Sequence, residues 1–282
     1  MRDWVGILCG IMMDTHSLEQ VRQLVRAAAI QELMGRFESV DSDVKADGSL
    51  ITAADLAMQD RLQRELGAHW PHYALLGEEM NAAEQQRLLA SPGAGLWCLD
   101  PLDGTGNFAA GIPFFAVSLA LIFAGAVQAA VVYDPVRDEC FSALRGEGAW
   151  LNGRPLSATG SPAALEEAMA MVDLKRLPAA LIRTIASRSP VRSQRSFGSV
   201  ALDWCWIARN RCQVYLHGGQ RLWDYAAGRL ILSESGAVGG VLSDYGGEFE
   251  SGLSLEPRIA IAASHVDLLR QWRGWITGAL QV

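Results

Sequence analysis

The residues with the clearest chemical potential lie in one short stretch, from Trp97 to Phe108. Asp100 and Asp103 flank Pro101, which fixes the backbone angle φ and stiffens the turn between the two carboxylates. Gly104 follows and lets a ligand approach the backbone closely. Two carboxylates held this close repel each other unless a positive charge lies between them. The spacing therefore predicts a site for a divalent cation such as Mg²⁺, which prefers hard oxygen ligands.

Three further oxygen donors are expected to join these two acids. They are the Glu78 carboxylate, the Asp224 carboxylate and the Leu102 carbonyl. A set of carboxylates without Cys or His favours Mg²⁺ or Mn²⁺ over zinc, and several carboxylates suit two or more ions. Paired ions activate a water and stabilise the leaving oxygen of an in-line displacement at phosphorus. Spacing alone leaves an alternative open, in which the acids form a calcium-like stabilising site or a solvated acidic turn.

Two neighbouring features would complete a phosphate site. If a helix begins after Asp103, the backbone N–H groups of Gly104 and Thr105 would bind an anion, and the Thr105 hydroxyl would orient an attacking water. Asp55 and Asp224 each fall in the first turn of a predicted helix, where a carboxylate complements the helix dipole. Taken singly, each of these two acids is better interpreted as a helix-start residue than as a catalytic one.

Apolar spacing predicts the two helices that precede the acidic stretch. The first helix is expected to begin at a Ser17 cap and to run to about Phe37. The second is expected to follow a Thr52 cap, with an apolar stripe that begins at Leu56. The polar segment 40–49 between them is typical of a loop or a hairpin.

Short apolar runs predict the strands of a sheet around the acids. The run 96–99 is expected to end at Asp100, because Pro101 stops the strand. Gly146-x-Gly148 is interpreted as a turn, since no helical pattern follows it as a nucleotide-binding loop requires. The predicted strands comprise residues 73–76, 96–99, 114–123, 126–133, 139–144 and 149–151.

A joint rich in Ser, Pro, Gly and Ala at residues 157–164 is the predicted domain boundary. It separates an N-terminal α+β half, residues 13–160, from a C-terminal α/β half, residues 161–282, which supplies Asp224 and the substrate pocket. Residues 1–12 are expected to be a poorly ordered extension. The apolar part of that extension is too short to cross a bilayer, so no membrane partner is expected.

Composition excludes some classes of protein. The 282 residues carry 24 basic and 31 acidic side chains, a formal net charge of -7. This balance argues against direct nucleic-acid binding, which normally needs a basic face. It permits an anionic substrate, because bound metal ions invert the local charge. Five cysteines without a Cys-x-x-Cys pair indicate a reducing, cytoplasmic compartment.

Several motifs in a fixed order resemble the inositol monophosphatase family of Mg²⁺-dependent, lithium-sensitive phosphatases. The resemblance covers nearly the whole chain from about residue 17. It implies a layered α-β-α-β-α sandwich, of the α+β or α/β class, shared with fructose-1,6-bisphosphatase. The motifs are Ile-Thr-Ala-Ala-Asp (51–55), Gly-Glu-Glu (77–79), Asp-Pro-Leu-Asp-Gly-Thr (100–105), Val-Val-Tyr-Asp-Pro (131–135), Gly-Glu-Gly-Ala-Trp-Leu-Asn-Gly (146–153) and Trp-Asp-Tyr-Ala-Ala-Gly (223–228).

The resemblance also implies a role for each site residue. Glu78, Asp100 and the Leu102 carbonyl would hold a first ion, and Asp100, Asp103 and Asp224 a second. Glu78 would help to place a weaker third ion. Thr105 and Asp55 would position and activate the water, so Asp55 becomes a catalytic candidate through the resemblance alone. The substrate contacts would come from Asp103, Gly104, Thr105, Gly198, Ser199, Val200, His217 and Asp224.

Two positions depart from the family pattern. Gly106 replaces a second Thr, which predicts a looser turn with the catalytic Thr105 retained. His217 stands where inositol phosphatases usually carry a Glu that holds substrate hydroxyls, seven residues before Asp224. The residue is interpreted either as a substrate contact or as an ordinary, partly exposed loop histidine. Strict inositol specificity is therefore not predicted.

Three functions are compatible with these residues. The first is a Mg²⁺-dependent phosphomonoesterase of inositol monophosphate or a similar small phosphate. The second is a 3′(2′),5′-bisphosphate nucleotidase of the same superfamily. The third is a regulatory binding protein built on this fold, against which the complete set of acids argues. The resemblance further implies lithium inhibition and a homodimer.

Overall fold

The chain is described by a computed structural model that covers residues 13–37, 42–44, 50–90, 95–160 and 163–281. The predicted extension at residues 1–12 lies outside the described residues. Within the described ranges, no helix is both long enough and apolar enough to cross a membrane.

Two helices near the start of the chain each bury one apolar face. α1 (Thr15–Ala29) continues into a π-helical turn (Ile30–Met34). A small antiparallel hairpin of β1 (Ser42–Val44) and β2 (Leu50–Thr52) then leads into α2 (Ala53–His69). The hairpin thereby delivers the chain to the N-terminus of α2, where one of the predicted catalytic acids lies.

A seven-stranded sheet forms the first half of the fold. Its strands, in spatial as in chain order, are β3 (Ala74–Gly77), β4 (Leu96–Asp103), β5 (Ala116–Phe123), β6 (Ala126–Asp134), β7 (Glu139–Leu144), β8 (Gly148–Leu151) and β9 (Arg154–Leu156). β3 and β4 are parallel and are joined through α3 (Ala82–Ala90), whereas each later pair is antiparallel. Parallel neighbours end at the same edge of a sheet, so the residues that follow β3 lie near the end of β4.

A five-stranded sheet forms the second half. Its strands are β10 (Met169–Asp173), β11 (Ser193–Arg195), β12 (Val214–Gln220), β13 (Val238–Leu242) and β14 (Arg258–Ala263), in the spatial order β11-β10-β12-β14-β13. β10 is parallel to both of its neighbours. The remaining helices are α4 (Thr105–Ala109), α5 (Ala179–Arg188), α6 (Val200–Ala208), α7 (Leu222–Glu234) and α8 (Val266–Ala279), and short 3₁₀ turns occupy 165–167 and 174–176.

The fold has five layers, and three hydrophobic clusters lie between them. α1 and α2 cover one face of the seven-stranded sheet, as shown by Leu18 and Met58 in one cluster with Leu99 of β4. α6 and α7 lie between the two sheets, and α5 and α8 cover the outer face of the five-stranded sheet. Successive side chains of a strand point to opposite faces, so each central strand contributes to two cores. The predicted α-β-α-β-α sandwich is confirmed.

The two sheets lie on either side of the predicted boundary at residue 160, yet they share the middle core. Strands β3–β9 come from residues before the boundary and β10–β14 from residues after it. α6 and α7 bury residues against both sheets in one cluster. The division into two halves stays a prediction, because the two sheets share one hydrophobic core.

Several local predictions are corrected by the structure. Asp14, not Ser17, caps α1, and its carboxylate accepts a hydrogen bond of 2.7 Å from the Ser17 N–H. Leu56 is 47% exposed, so the buried stripe of α2 begins elsewhere on the helix. The last turn of the first helix is π-helical and ends at Met34 rather than at Phe37. The sequence patterns also missed the short strands β9, β11 and β13.

Candidate active site

The central acids lie at the end of β4, which does not stop at Pro101. Asp100 is paired with Ser118 of β5 and Asp103 with Ala116, so two residues of β4 face one residue of β5. This β-bulge places Pro101 where its missing N–H costs no ladder hydrogen bond. The prediction that Pro101 ends the strand at Asp100 is therefore wrong, and the bulge brings both acids to the same sheet edge.

Gly104 occupies a position where only glycine fits without strain. Its φ of 96° lies in the left-handed region, which disfavours residues with a Cβ atom. A Cβ atom here would also approach the Phe114 carbonyl oxygen at 3.1 Å and the Gly198 carbonyl oxygen at 3.2 Å. The turn then opens α4 at Thr105, as predicted, but α4 is only five residues long. Its dipole is therefore small, and anion binding here depends mainly on individual N–H groups and on cations.

Asp55 is both a helix cap and a partner of Thr105. One oxygen, Oδ2, accepts hydrogen bonds from the Thr52 N–H (2.7 Å) and the Thr52 hydroxyl (2.6 Å). The first of these bonds forms a capping box together with the bond that the Thr52 hydroxyl accepts from the Ala54 N–H. The other oxygen, Oδ1, lies 3.0 Å from the Thr105 hydroxyl. Burial raises the pKa of Asp55, although the hydrogen bonds from Thr52 and Thr105 oppose that change. Asp55 therefore serves as a helix cap and contacts Thr105 at the same time, so the helix-start and catalytic interpretations are compatible.

The five predicted acids act on one another electrostatically. Burial raises the pKa of Asp100 well above its usual range. The neighbouring charges that raise it further belong to Glu78, Asp103, Asp224 and Asp55. Burial also raises the pKa of Asp224 well above its usual range, and the charges of Glu78 and Asp103 act in the same direction. The fold therefore gathers acids from α2, β4, α7 and the end of β3 around one place.

Asp103 joins this cluster to the second half of the chain. Its Oδ2 atom accepts hydrogen bonds from the Ser199 hydroxyl (2.5 Å) and the Ala201 N–H (2.7 Å), and its Oδ1 atom accepts one from the Val200 N–H (3.2 Å). Burial nevertheless raises the pKa of Asp103 to about 6. The predicted substrate-binding residues Gly198 to Val200 thus lie directly beside Asp103, at the N-terminus of α6.

Asn107 reinforces this junction and was missed by the sequence patterns. Its Nδ2 atom donates to the Phe114 carbonyl (2.7 Å) and to the Phe197 carbonyl (2.6 Å), which lie in different halves of the chain. Gly198, with a φ of 83°, leaves room for the Asn107 amide, since a Cβ atom there would lie 3.0 Å from Asn107 Nδ2. A lone Asn in a short helix gives no sequence signal for such a role.

The donor set fits hard divalent cations. Every predicted ligand is a carboxylate or a carbonyl oxygen, and Asp100 and Asp103 are almost fully buried. Within the described part of the chain, no group of three or more acidic, His or Cys side chains is already arranged as a metal-binding cage. The fit therefore rests on the chemistry of the donors and on their mutual repulsion, which a cation relieves.

Glu78 borders a polar cavity at the edge of the site. It follows β3, and its N–H donates to the Leu99 carbonyl at 3.1 Å. Gln85 of α3 donates to the Glu78 carbonyl at 3.2 Å and so fixes the backbone there. A cavity of about 380 Å³ opens beside Glu78 and is also lined by Arg221 and Trp223. Asp224 is held by the Arg221 N–H, which donates to its Oδ2 atom at 2.8 Å.

His217 is not a partly exposed loop residue, as one interpretation of the sequence had it. It lies within β12 and is only 4% exposed. Its Nδ1 atom accepts a hydrogen bond of 3.2 Å from the Gly219 N–H, and its Nε2 atom lies 3.1 Å from Asp173 Oδ2. Asp173 was missed, although it follows a buried apolar run just as Asp100 does.

Known proteins resemble this chain in sequence. The profile of the inositol monophosphatase family matches residues 14–281. Inositol monophosphatase 1 of Solanum lycopersicum is 35% identical over 212 residues, which cover 73% of this chain and 76% of that protein. Nus factor SuhB of Haemophilus influenzae is 33% identical over 207 residues, which cover 72% of this chain and 76% of that factor.

Solved structures share the fold. An IMPase of Thermotoga maritima superposes with a TM-score of 0.78 at 25% identity, covering 94% of this chain and 99% of its own. An IMPase/NADP phosphatase complexed with Mg²⁺ and phosphate superposes with a TM-score of 0.74 at 22% identity, covering 90% of this chain and 95% of its own. The second likeness concerns the fold alone.

Proposed function

Because this chain belongs to the inositol monophosphatase family, we propose that it is a Mg²⁺-dependent phosphomonoesterase of inositol monophosphate or a similar small phosphate ester. The observation that carries the proposal is the contact between Thr105 and Asp55 at the edge of the buried carboxylate cluster. Clustered buried acids are destabilising without a cation, whereas a hydroxyl held by a carboxylate is suited to orienting a water.

The ligands that we propose for the ions are those that the family resemblance implies. Glu78, Asp100 and the Leu102 carbonyl would hold a first ion, Asp100, Asp103 and Asp224 a second, and Glu78 would help to hold a third. When bound, Mg²⁺ would lower the pKa of a water and stabilise the leaving oxygen of the ester. Mn²⁺ prefers similar ligands and is the proposed substitute.

Thr105 and Asp55 would prepare the nucleophile. The Thr105 hydroxyl has one proton and two acceptors within reach, Asp55 Oδ1 at 3.0 Å and the Leu102 carbonyl at 2.9 Å. The Thr105 hydroxyl would donate its hydrogen bond to Asp55 and accept one from the attacking water, and the Leu102 carbonyl would be left to hold an ion. The raised pKa of Asp55 makes its carboxylate a better proton acceptor than an ordinary aspartate. Glu78 would assist as an ion ligand beside that water.

The phosphate and the organic group of the substrate would both bind beside Asp103. The N–H groups of Gly104 and Thr105 would bind phosphate oxygens beside the ions. The organic group would then project toward Gly198, Ser199 and Val200, because these residues contact Asp103 and Gly104. Asp224 would complete the contact from the N-terminal turn of α7.

A 3′(2′),5′-bisphosphate nucleotidase is the second candidate, and Arg176 favours it. The side chain of Arg176 is exposed and packs along Gly219, with its Cδ atom 3.6 Å from the position of a Cβ atom there. Its charge lowers the pKa of Asp173 and opposes the rise in the pKa of Asp224. A cation in this place would favour a substrate with a second phosphate.

A regulatory binding role is the third candidate, because relatives carry the name Nus factor SuhB. The complete set of acids supports catalysis even if such a role exists. A variant without turnover that retained a regulatory effect would separate the two roles.

We further propose a cytoplasmic homodimer. The buried Phe114 forms an aromatic cluster with the partly exposed Phe197 and Trp206, and the ring centroids lie 4.9–5.1 Å apart. Ile112 lies nearby in sequence and is 48% exposed. The four cysteines that the structure describes are buried and unpaired, which suits a reducing compartment. Light scattering after size-exclusion chromatography would report the mass, and a purely monomeric protein would contradict the dimer.

Phosphate release from a panel of monophosphates tests the proposed activity. The panel contains inositol 1-phosphate, 3′-phosphoadenosine 5′-phosphate and 4-nitrophenyl phosphate, each with Mg²⁺, with chelator, and with Mg²⁺ plus Li⁺. We expect release that requires Mg²⁺ and is inhibited by Li⁺. Preferred turnover of the bisphosphate would favour the second candidate. The absence of release from every substrate would contradict phosphomonoesterase activity.

A further inference from the structure

A second group of ionisable side chains lies beside the acid cluster, at the ends of β10 and β12. Asp173 is the last residue of β10, and His217 lies directly opposite it on β12. Side chains two residues apart on a strand share a face. Met171 and Tyr215, two residues earlier, both belong to the core between the sheets. Asp173 and His217 therefore project toward the helix layer that contains the N-terminus of α6.

His217 is fully engaged within the protein. Its Nδ1 atom accepts a hydrogen bond from the Gly219 N–H, so the proton of the neutral ring is on Nε2. That proton is directed to Asp173 Oδ2 at 3.1 Å. Neither ring nitrogen is left for a substrate. The role of His217 is thus to orient the Asp173 side chain.

Asp173 retains acceptor capacity on its exposed side. Its Oδ2 atom meets His217, and its Oδ1 atom accepts a hydrogen bond of 2.8 Å from the Lys175 N–H. A carboxylate offers about four acceptor positions, so about two remain. The Asp173 side chain is 30% exposed. A fixed carboxylate with open positions binds hydroxyl groups and repels anions.

Asp203 connects this pair to the reacting centre. It lies one turn into α6, and its N–H donates to the Ser199 carbonyl at 3.1 Å. Burial raises the pKa of Asp203, and the negative charges of Asp103 and Asp173 raise it further. The Asp203 carboxyl therefore lies close enough to interact with both of these carboxylates. It is 6% exposed, and its Oδ1 atom has no hydrogen-bond partner in the part of the chain that the structure describes. The Asp203 carboxyl accepts a hydrogen bond from the Tyr215 hydroxyl. Because its Oδ1 atom is fully buried, Asp203 supports this region from within and does not contact a substrate.

We propose that Asp173, positioned by His217, is the residue that binds the hydroxyl groups of the substrate and so selects a polyol ester over other phosphate esters. This assignment rests on the phosphomonoesterase activity proposed above and adds the residue that selects the substrate. It also explains how a site with His at position 217 still offers a carboxylate to hydroxyl groups, since the neighbouring strand supplies it.

Arg176 provides the competing chemistry. Its guanidinium donates no hydrogen bond to any residue within the described ranges and lies near Asp173. If Arg176 rather than Asp173 selects the substrate, a second anionic group is preferred to hydroxyl groups. The two residues therefore predict opposite responses to substitution.

The test is a ratio of kcat/KM values for inositol 1-phosphate and 4-nitrophenyl phosphate, measured on one preparation of each variant with Mg²⁺. A loss of folded protein lowers both values and cancels in the ratio. We expect Asp173→Asn to lower the ratio at least about tenfold, mainly through KM for the polyol ester, because a charged partner of the hydroxyl is lost. His217→Gln should lower it less, since the carboxylate remains but is less well oriented.

Lys175→Gln is the matched control. Only the backbone N–H of Lys175 contacts Asp173, and its side chain is exposed, so both kcat/KM values should be unchanged. An unchanged ratio in Asp173→Asn would overturn the assignment. So would a ratio that responds to Arg176→Gln instead, together with preferred turnover of 3′-phosphoadenosine 5′-phosphate by the unmodified protein. An inactive unmodified protein would overturn the proposed function as well, whereas activity with an unchanged ratio overturns only the role of Asp173.

Discussion

The acid cluster around Asp100 and the wall formed by Asp173 and His217 are adjacent but built in different ways. At the centre of the cluster, Asp100, Asp103 and Thr105 lie on one contiguous stretch, where a bulge and a left-handed Gly104 place them together. Acids from α2, α7 and the end of β3 complete the cluster. The wall depends on the register of two strands separated by 40 residues of chain. The centre of the cluster is thus encoded locally, whereas its other acids and the wall depend on tertiary structure.

The largest expected effect concerns the cluster. Chelation of divalent cations should abolish turnover of all substrates, and so should Asp100→Asn, because Asp100 is the ligand proposed for both the first and the second ion. Without Mg²⁺, Asp100→Asn should raise the unfolding midpoint, because it removes a charge that is buried among other acids. Thermal unfolding with and without Mg²⁺ tests this. A midpoint that falls in the metal-free variant would contradict the repulsion on which the metal site is argued.

The next largest loss of activity is expected when Asp55 is substituted. Asp55→Asn should lower kcat by about 10²–10⁴, the range for loss of a general base. Thr52→Val is the matched control, because it removes the hydroxyl that caps the helix and donates to Asp55, and it leaves the carboxylate with its hydrogen bond from the Thr52 N–H. It should cost about 0.5–2 kcal/mol of stability, with little change in kcat. Equal losses of kcat in both variants would assign Asp55 to the cap alone.

Removal of the Thr105 hydroxyl is expected to lower kcat by a similar or smaller factor. Thr105→Val keeps the shape of the side chain but removes the hydroxyl that meets Asp55, and kcat should fall by about 10²–10³, as for the loss of one aligned hydrogen bond at a reacting centre. Thr105→Ser keeps the hydroxyl and should retain most of the activity. Steady-state kinetics at saturating Mg²⁺ compare the two. A serine variant as inactive as the valine variant would argue for a packing role.

The smallest effect concerns the wall and depends on pH. The contact with His217 lowers the pKa of Asp173 below the value of 3.8 that it has when unfolded. The contact therefore stabilises the fold fully above pH 3.8, and the stabilisation disappears as pH falls through the lower, folded value. The difference in unfolding free energy between the unmodified protein and Asp173→Asn should be constant near neutrality and shrink below pH 3.8. Denaturant titrations over pH 3 to 7 measure it, and a difference that grows on acidification would contradict the contact.

Much of this structure follows from local pattern. The hairpin of β5 and β6, the Thr52 cap and the helix start at Asp224 all agree with the apolar spacing and the capping residues. These features depend on interactions within a few residues. The sandwich, in contrast, was implied by the family resemblance, as was the catalytic role proposed for Asp55.

The remainder depends on contacts between distant segments. Asn107 joins two carbonyls 83 residues apart in the chain, from Phe114 to Phe197, and no local pattern marks it. The pairing of Asp173 with His217 requires knowledge of strand order in the second sheet. Pro101 misled the prediction of the strand end because a bulge, rather than chain termination, accommodates it.

The most direct measurement is phosphate release from inositol 1-phosphate and 4-nitrophenyl phosphate as Mg²⁺ is titrated into the metal-free protein and its Asp100→Asn and Asp173→Asn variants. We predict that the unmodified protein requires Mg²⁺ for both esters, that Asp100→Asn turns over neither, and that Asp173→Asn loses selectivity for the polyol ester. Release that is independent of Mg²⁺, or an Asp100→Asn variant with full activity, would contradict the account.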